Sequence, residues 1–133
     1  MFSVETDRSK RLLVIGVAGH VTKQDVREAA EGVRRVLEDV APGFRALTDF
    51  RWLESIHPSA APHIADMMKA IVDKQVGLVI SVVSNPGKDV VLDVLAQFRY
   101  GSEVQIFTFE KLADALEKLM EEDRRLEEQD RRS

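Results

Sequence analysis

The sequence predicts an α/β fold: one domain built on a five-stranded mixed sheet with flanking helices, in the order ββαβαβαβα. Two short apolar runs at the start, FSVE and RLLVIGVA, are joined by the polar Thr6-Asp7-Arg8-Ser9 and read as a hairpin. After them, runs of strand length alternate with segments whose apolar residues recur at helical spacing. One of those runs, LVISVVS, is almost wholly apolar, the mark of a strand buried on both faces of a parallel sheet. A hairpin followed by alternating strands and helices implies parallel later strands, right-handed crossovers and helices as covering layers.

Each element has its own signal. Thr22 to Ala41 carries Val26, Ala29, Ala30, Val33, Val36, Leu37 and Val40 on one helical face. Thr22 with Asp25 three residues later resembles a capping box, and Pro42-Gly43 stops the helix. FRALTDF is the third strand. A second helical face follows on Ile64, Met67, Met68, Ile71 and Val72, with the methionines as core filler, and it ends near Gly77. LVISVVS is broken by Asn85-Pro86-Gly87. Val90, Val91, Val94, Leu95 and Phe98 then share one side of a helix that Gly101 closes, before EVQIFTF forms the fifth strand.

The last segment differs in kind. Leu112, Leu116, Leu119 and Leu126 share a seam that Asp123 and Asp130 interrupt, while Glu121/Arg125, Glu127/Arg131 and Glu128/Arg132 are favourable i,i+4 pairs. Residues 1–120 are therefore expected to form the domain. Residues 121–133 are expected to be a charged helical extension.

Composition narrows the function classes. A length of 133 residues, 44% hydrophobic and 32% charged, suits one globular core. The net charge of -4, with both signs interspersed along the chain, leaves no nucleic-acid footprint. The chain has no cysteine, so thiolate metal sites, disulfides and cysteine nucleophiles are excluded. No apolar run approaches the ~20 residues that span a bilayer, and no signal-like segment opens the chain. A cytoplasmic protein is expected.

The hairpin ending in VAGHVT with a helix starting at that Thr, the strands LTDF and LVISVV, and the terminal IFTFEKLADALEKL together resemble the SpoIIAA-like family, related to the STAS (anti-sigma factor antagonist) domains. The resemblance covers roughly residues 2–119 and rests on short motifs. It implies a sheet of this strand order and roles that are regulatory or uncharacterised, not enzymatic. In phosphorylatable STAS domains, the strand matching LTDF leads to an Asp-Ser-Ser/Thr-Gly loop where a kinase anti-sigma factor modifies Ser. Here the place reads His57-Pro58-Ser59-Ala60. Proline stands at the acceptor position and only Ser59 keeps a hydroxyl, so the resemblance does not carry the phosphorylation switch over.

Topology offers a separate route to a site. In an open α/β sheet, ligands bind outside the carboxyl ends of the parallel strands. Loops expected there would gather His20, Asp49, Arg51, His57, Ser59, Asn85 and Lys88, and a basic residue beside helix N-termini favours an anionic group. Ordinary roles compete with each of these. Asp at a strand end orders turns, and Ser and Pro begin helices. PGKD lacks the Walker A spacing, and the three histidines match no zinc pattern. Ser59, His57 and Asp49 could be drawn as a triad, but no nucleophile-elbow sequence surrounds them.

The first reading is a noncatalytic regulatory or protein-interaction module without a cofactor or metal. The alternative is a small anionic-ligand or lipid-binding domain, with an enzyme third. A homodimer is expected as well, because FSVE is an edge strand without Pro or Lys, and Trp52, Phe98 and Tyr100 add apolar surface.

Overall fold

The computed structural model describes residues 1–7, 11–83 and 104–132. The strands are β1 (Phe2–Asp7), β2 (Leu12–Val21), β3 (Arg45–Ile56), β4 (Leu78–Val82) and β5 (Gln105–Phe109). The helices are α1 (Lys23–Leu37), α2 (Ala61–Asp73), entered through a 3-10 turn at Pro58–Ala60, and α3 (Leu112–Arg132). All strands join one sheet in chain order, β1-β2-β3-β4-β5. β1 runs antiparallel to β2, and every later pair is parallel. This is the mixed α/β sheet that the sequence predicts. The helix expected on Val90–Phe98 lies outside the described residues.

Side-chain alternation assigns the two faces of the sheet. Leu13, Ile15, Val17 and Val21 of β2 turn to one face, where they pack with Val26, Ala29, Ala30 and Val33 of α1 and Ile64, Met67, Met68 and Ile71 of α2. Leu47, Leu78, Ile80 and Val82 turn to the other, against Ala115 and Leu119 of α3. β4 contributes to both, and all five of its residues are buried. Its one polar side chain, Ser81, meets Thr48 of β3 at 2.7 Å between the hydroxyl oxygens, so neither hydroxyl is buried without a partner.

The capping box at Thr22 is present. The Asp25 N–H donates to Thr22 Oγ1 at 3.2 Å, and the Thr22 N–H donates to Asp25 Oδ2 at 3.0 Å. Hydrogen bonds from the Thr22 backbone N–H and then from its side chain hold the Asp25 carboxyl below its ordinary value. α1 ends at Leu37 rather than Ala41, because the chain tightens into turns that bond Asp39 N–H to Val36 O and Val40 N–H to Leu37 O. Gly43, at φ +85, then lets the loop donate to Gln75 O at 2.7 Å, tying the two loops that enter β3 and β4.

Two strands are longer than expected. β2 runs on through Gly19 and His20, and β3 through Ile56, so the segments read as loops after these strands are instead paired strand. The pairing survives through irregularities between Gly16 and Ala18 and between Gly19 and His20; Gly19 takes φ +72, open to a residue without a Cβ. Such shifts interrupt the alternation on which a sequence reading of strands depends.

The α3 seam also shifts. Ala115 and Leu119 are its buried apolar residues, whereas Leu116 and Leu126 are exposed. Arg45, at the start of β3, is only 7% exposed, and its guanidinium bonds to the Asp123 carboxylate beneath the helix. Lys118 stands 4.4 Å from the centroid of the Phe107 ring and pairs with Glu122 at 3.3 Å. The helix is thus pinned to the sheet by charge as well as by apolar contact as far as Asp123.

Candidate functional site

The carboxyl ends of β2 and β3 carry most of the polar residues singled out above, and hydrogen bonds sort them into three groups. Asp49 and Arg51 form the first. One Asp49 oxygen accepts from the Arg51 backbone N–H and Nε, both at 3.0 Å, and the other accepts from Nη2 at 2.9 Å. Burial pushes the Asp49 carboxyl up, but the hydrogen bonds and charge of Arg51 outweigh it and hold the group below its ordinary value. The same carboxylate raises Arg51 above the ordinary guanidinium value. Arg51 also lies 5.6 Å from the centroid of the Trp52 ring, and that indole is 65% exposed.

The second group is one the sequence did not suggest. His20 meets Ser55 Oγ through Nδ1 at 2.7 Å and Glu54 Oε2 through Nε2 at 2.9 Å. Ser55 lies opposite His20 because the β2–β3 register slips by a residue, a shift with no local sequence signature. Hydroxyl, imidazole and carboxylate are in line, as in a proton relay. The His20 and Glu54 side chains are 77% and 62% exposed, where solvent screens the charges that a relay must stabilise.

The third group caps a helix. His57 Nδ1 accepts from the Ser59 N–H at 3.1 Å and lies 2.7 Å from Ser59 Oγ. Because Nδ1 already accepts the amide proton, the Ser59 hydroxyl must donate to it as well. Pro58 occupies the first turn, where a missing N–H costs little, and the turn leads into α2. His57 and Ser59 therefore begin a helix, the ordinary role that the sequence also allowed. Asn85 and Lys88 lie outside the described residues.

Among the described residues, the better-enclosed apolar space lies elsewhere, between the sheet and α2. It is a cavity of about 30 Å³ lined by Ile15, Val17, Thr48, Phe50, Met67 and Met68, among others. That is room for roughly one or two waters, far below the ~300 Å³ of a small-molecule pocket. No group of three or more His, Asp or Glu among the described residues could hold a metal ion. No helix among them is long and apolar enough to cross a membrane.

No family model and no curated protein sequence matches the chain. Solved structures do. An uncharacterized protein of the DUF3478 family with a SpoIIAA-like fold, from Shewanella loihica PV-4, superposes with a TM-score of 0.64 at 20% identity, over 90% of this chain and 92% of that one. The anti-sigma factor antagonist SpoIIAA in its unphosphorylated form superposes with a TM-score of 0.62 at 14% identity, over 90% and 98% of the two chains. An anti-sigma factor antagonist from Mycobacterium paratuberculosis gives 0.57 at 14% identity, over 90% and 93%. At these identities the likeness is one of fold. Across nine-tenths of its length, this chain has the SpoIIAA-like α/β fold.

Proposed function

We propose that the chain is a noncatalytic regulatory module that binds a partner protein, an anti-sigma factor in the first instance, through the carboxyl ends of β2 and β3. The observation that carries this reading is the exposed Trp52, beside the Arg51 guanidinium that Asp49 holds in place. An aromatic ring held by a charged neighbour, itself fixed by a bidentate bond, is the kind of rigid anchor that dominates protein interfaces. The neighbouring polar groups are bonded to one another, so they need no substrate to satisfy them. The likeness to anti-sigma factor antagonists supports the class of partner.

The enclosed cavity beneath α2 is too small for a lipid chain and lends the competing ligand-binding reading no support. A cytoplasmic setting follows from the proposed partner. The test is calorimetric titration of the purified chain with each anti-sigma factor encoded in its own genome. One of them should bind, and Trp52→Ala should weaken that complex by at least about tenfold, ~1.4 kcal/mol, while leaving the melting curve unchanged. As the chain's one tryptophan, Trp52 also reports directly, its emission shifting to the blue as the partner covers it. Absence of binding to every such factor would sink the reading.

A further inference from the structure

β1 is the edge of the sheet, and among the described residues no strand pairs with its outer side. Met1 and Ala18 exchange both backbone bonds, Ala18 N–H to Met1 O at 2.9 Å and the Met1 amino group to Ala18 O at 2.7 Å. Bonded and unbonded pairs alternate along an antiparallel ladder, so Ser3 and Glu5 turn their backbone groups inward to β2. Phe2, Val4 and Thr6 turn theirs outward. The register with β2 is unbroken from Phe2 to Asp7, and the strand contains neither Pro nor Lys. Bulges, prolines and lysines, which usually blunt an edge, are thus missing from it.

Beside this edge runs a groove of about 290 Å³ between β1 and α1, with Phe2 and Val4 on one side and Asp25, Glu28, Ala29 and Gly32 on the other. A Cβ placed on Gly32 would meet nothing within 4 Å, so the helix leaves room for incoming side chains. We propose that the occupant is the β1 strand of a second copy, added antiparallel about a two-fold axis through Val4. That register sets Val4 against Val4, Phe2 against Thr6 and Ser3 against Glu5, with no like charges opposed. Centring the axis on Glu5 instead would oppose two carboxylates.

Phe2 and Val4 share the α1 face of the sheet, so the same side chains of the second copy drop into the groove. The helices are self-complementary too. α1 carries Asp25 in its first turn and Arg35 in its last, and Arg35 lies two turns beyond Glu28 on the same side. Antiparallel pairing brings the acidic start of one α1 toward Arg35 of the other. A two-fold contact of this kind closes on itself and leaves no further β1 edge to recruit.

The native chain has no cysteine, which makes the register directly testable. Across a bonded antiparallel pair the Cα atoms lie ~5.5 Å apart, within disulfide reach. Val4→Cys should therefore cross-link rapidly to a two-chain species under mild oxidation. Thr6→Cys should not, because its copies would be four residues out of step, ~14 Å apart at the strand rise. Light scattering of the native chain should give the mass of two chains. Arg35→Glu and Ser3→Glu, both at exposed positions, should shift it toward one chain with unchanged circular dichroism. A one-chain mass for the native protein at micromolar concentration would overturn the proposal. So would a two-chain mass in which the Thr6→Cys variant cross-links faster than Val4→Cys, or a basic strand-forming peptide of alternating Lys and Val protecting the Phe2, Val4 and Thr6 amides of a monomer.

Discussion

Asp49 shows how far a residue type can be read without its neighbours. An Asp at a strand end is expected to accept hydrogen bonds that order the chain, and it does, but the donor is Arg51 two residues on, brought round by the irregular pairing of β3. Its depressed carboxyl has a consequence for acid stability. The stabilisation is complete above the unfolded-chain value of about 3.9 and is lost as pH falls through the lower folded value. Asp49→Asn should therefore lower the urea midpoint at neutral pH, by the equivalent of ~1 kcal/mol for a partly buried charge-assisted pair. The deficit should shrink as the pH falls through the lowered value of the native carboxyl, where that carboxyl is also protonated. A deficit independent of pH would mean that shape, not charge, is what Asp49 contributes. At Ser59 the expectation is negative. Its hydroxyl donates to His57 inside a helix cap, and mass spectrometry of protein from its native cell should find it without stoichiometric phosphate.

α3 is the element whose docking depends on charge. Its seam was half legible: apolar residues at helical spacing announced the helix, but which of them would be covered depends on where the sheet ends, and that is a tertiary matter. Leu116 and Leu126 therefore fall in solvent, while Ala115, too small to attract notice, is fully buried. Arg45 was invisible as a contact for the same reason, since a strand-initial Arg is ordinarily a surface residue. Asp123→Ala removes one carboxylate from that buried guanidinium and should cost ~2 kcal/mol, less than the full penalty of breaking a buried pair because Asp123 is partly exposed. The loss should appear locally. Amide exchange beyond Met120 should quicken while the β2 and β3 amides keep their protection; uniform acceleration would show that the helix end and the sheet open as one unit. The strands teach a related lesson: β4 was evident because a strand buried on both faces needs no alternation, whereas the upper half of β3, from Arg51 to Ile56, mixes exposed charge with bulged pairing and reads as a loop.

At the level of the whole molecule, the order of elements and the sheet type were legible, because they rest on the sequence of apolar runs rather than on any boundary. The polar residues at the strand ends were legible as a neighbourhood but not as partners: His20 was expected near Asp49 and His57, and its bonds instead run to Glu54 and Ser55. Strand position in the sheet equals strand position in the chain, β1 through β5, with α3 laid across the second face last. Such a sheet can be assembled in the order of synthesis. Each strand leaving the ribosome finds its neighbour already in place, so no gap has to be held open for a later segment to thread. The exception is the far face of β3 and β4, where Leu47, Ile80 and Val82 wait for Ala115 and Leu119. Among the described residues, that apolar strip is the last to be covered, and the Arg45–Asp123 bond joins α3 to the sheet beside it.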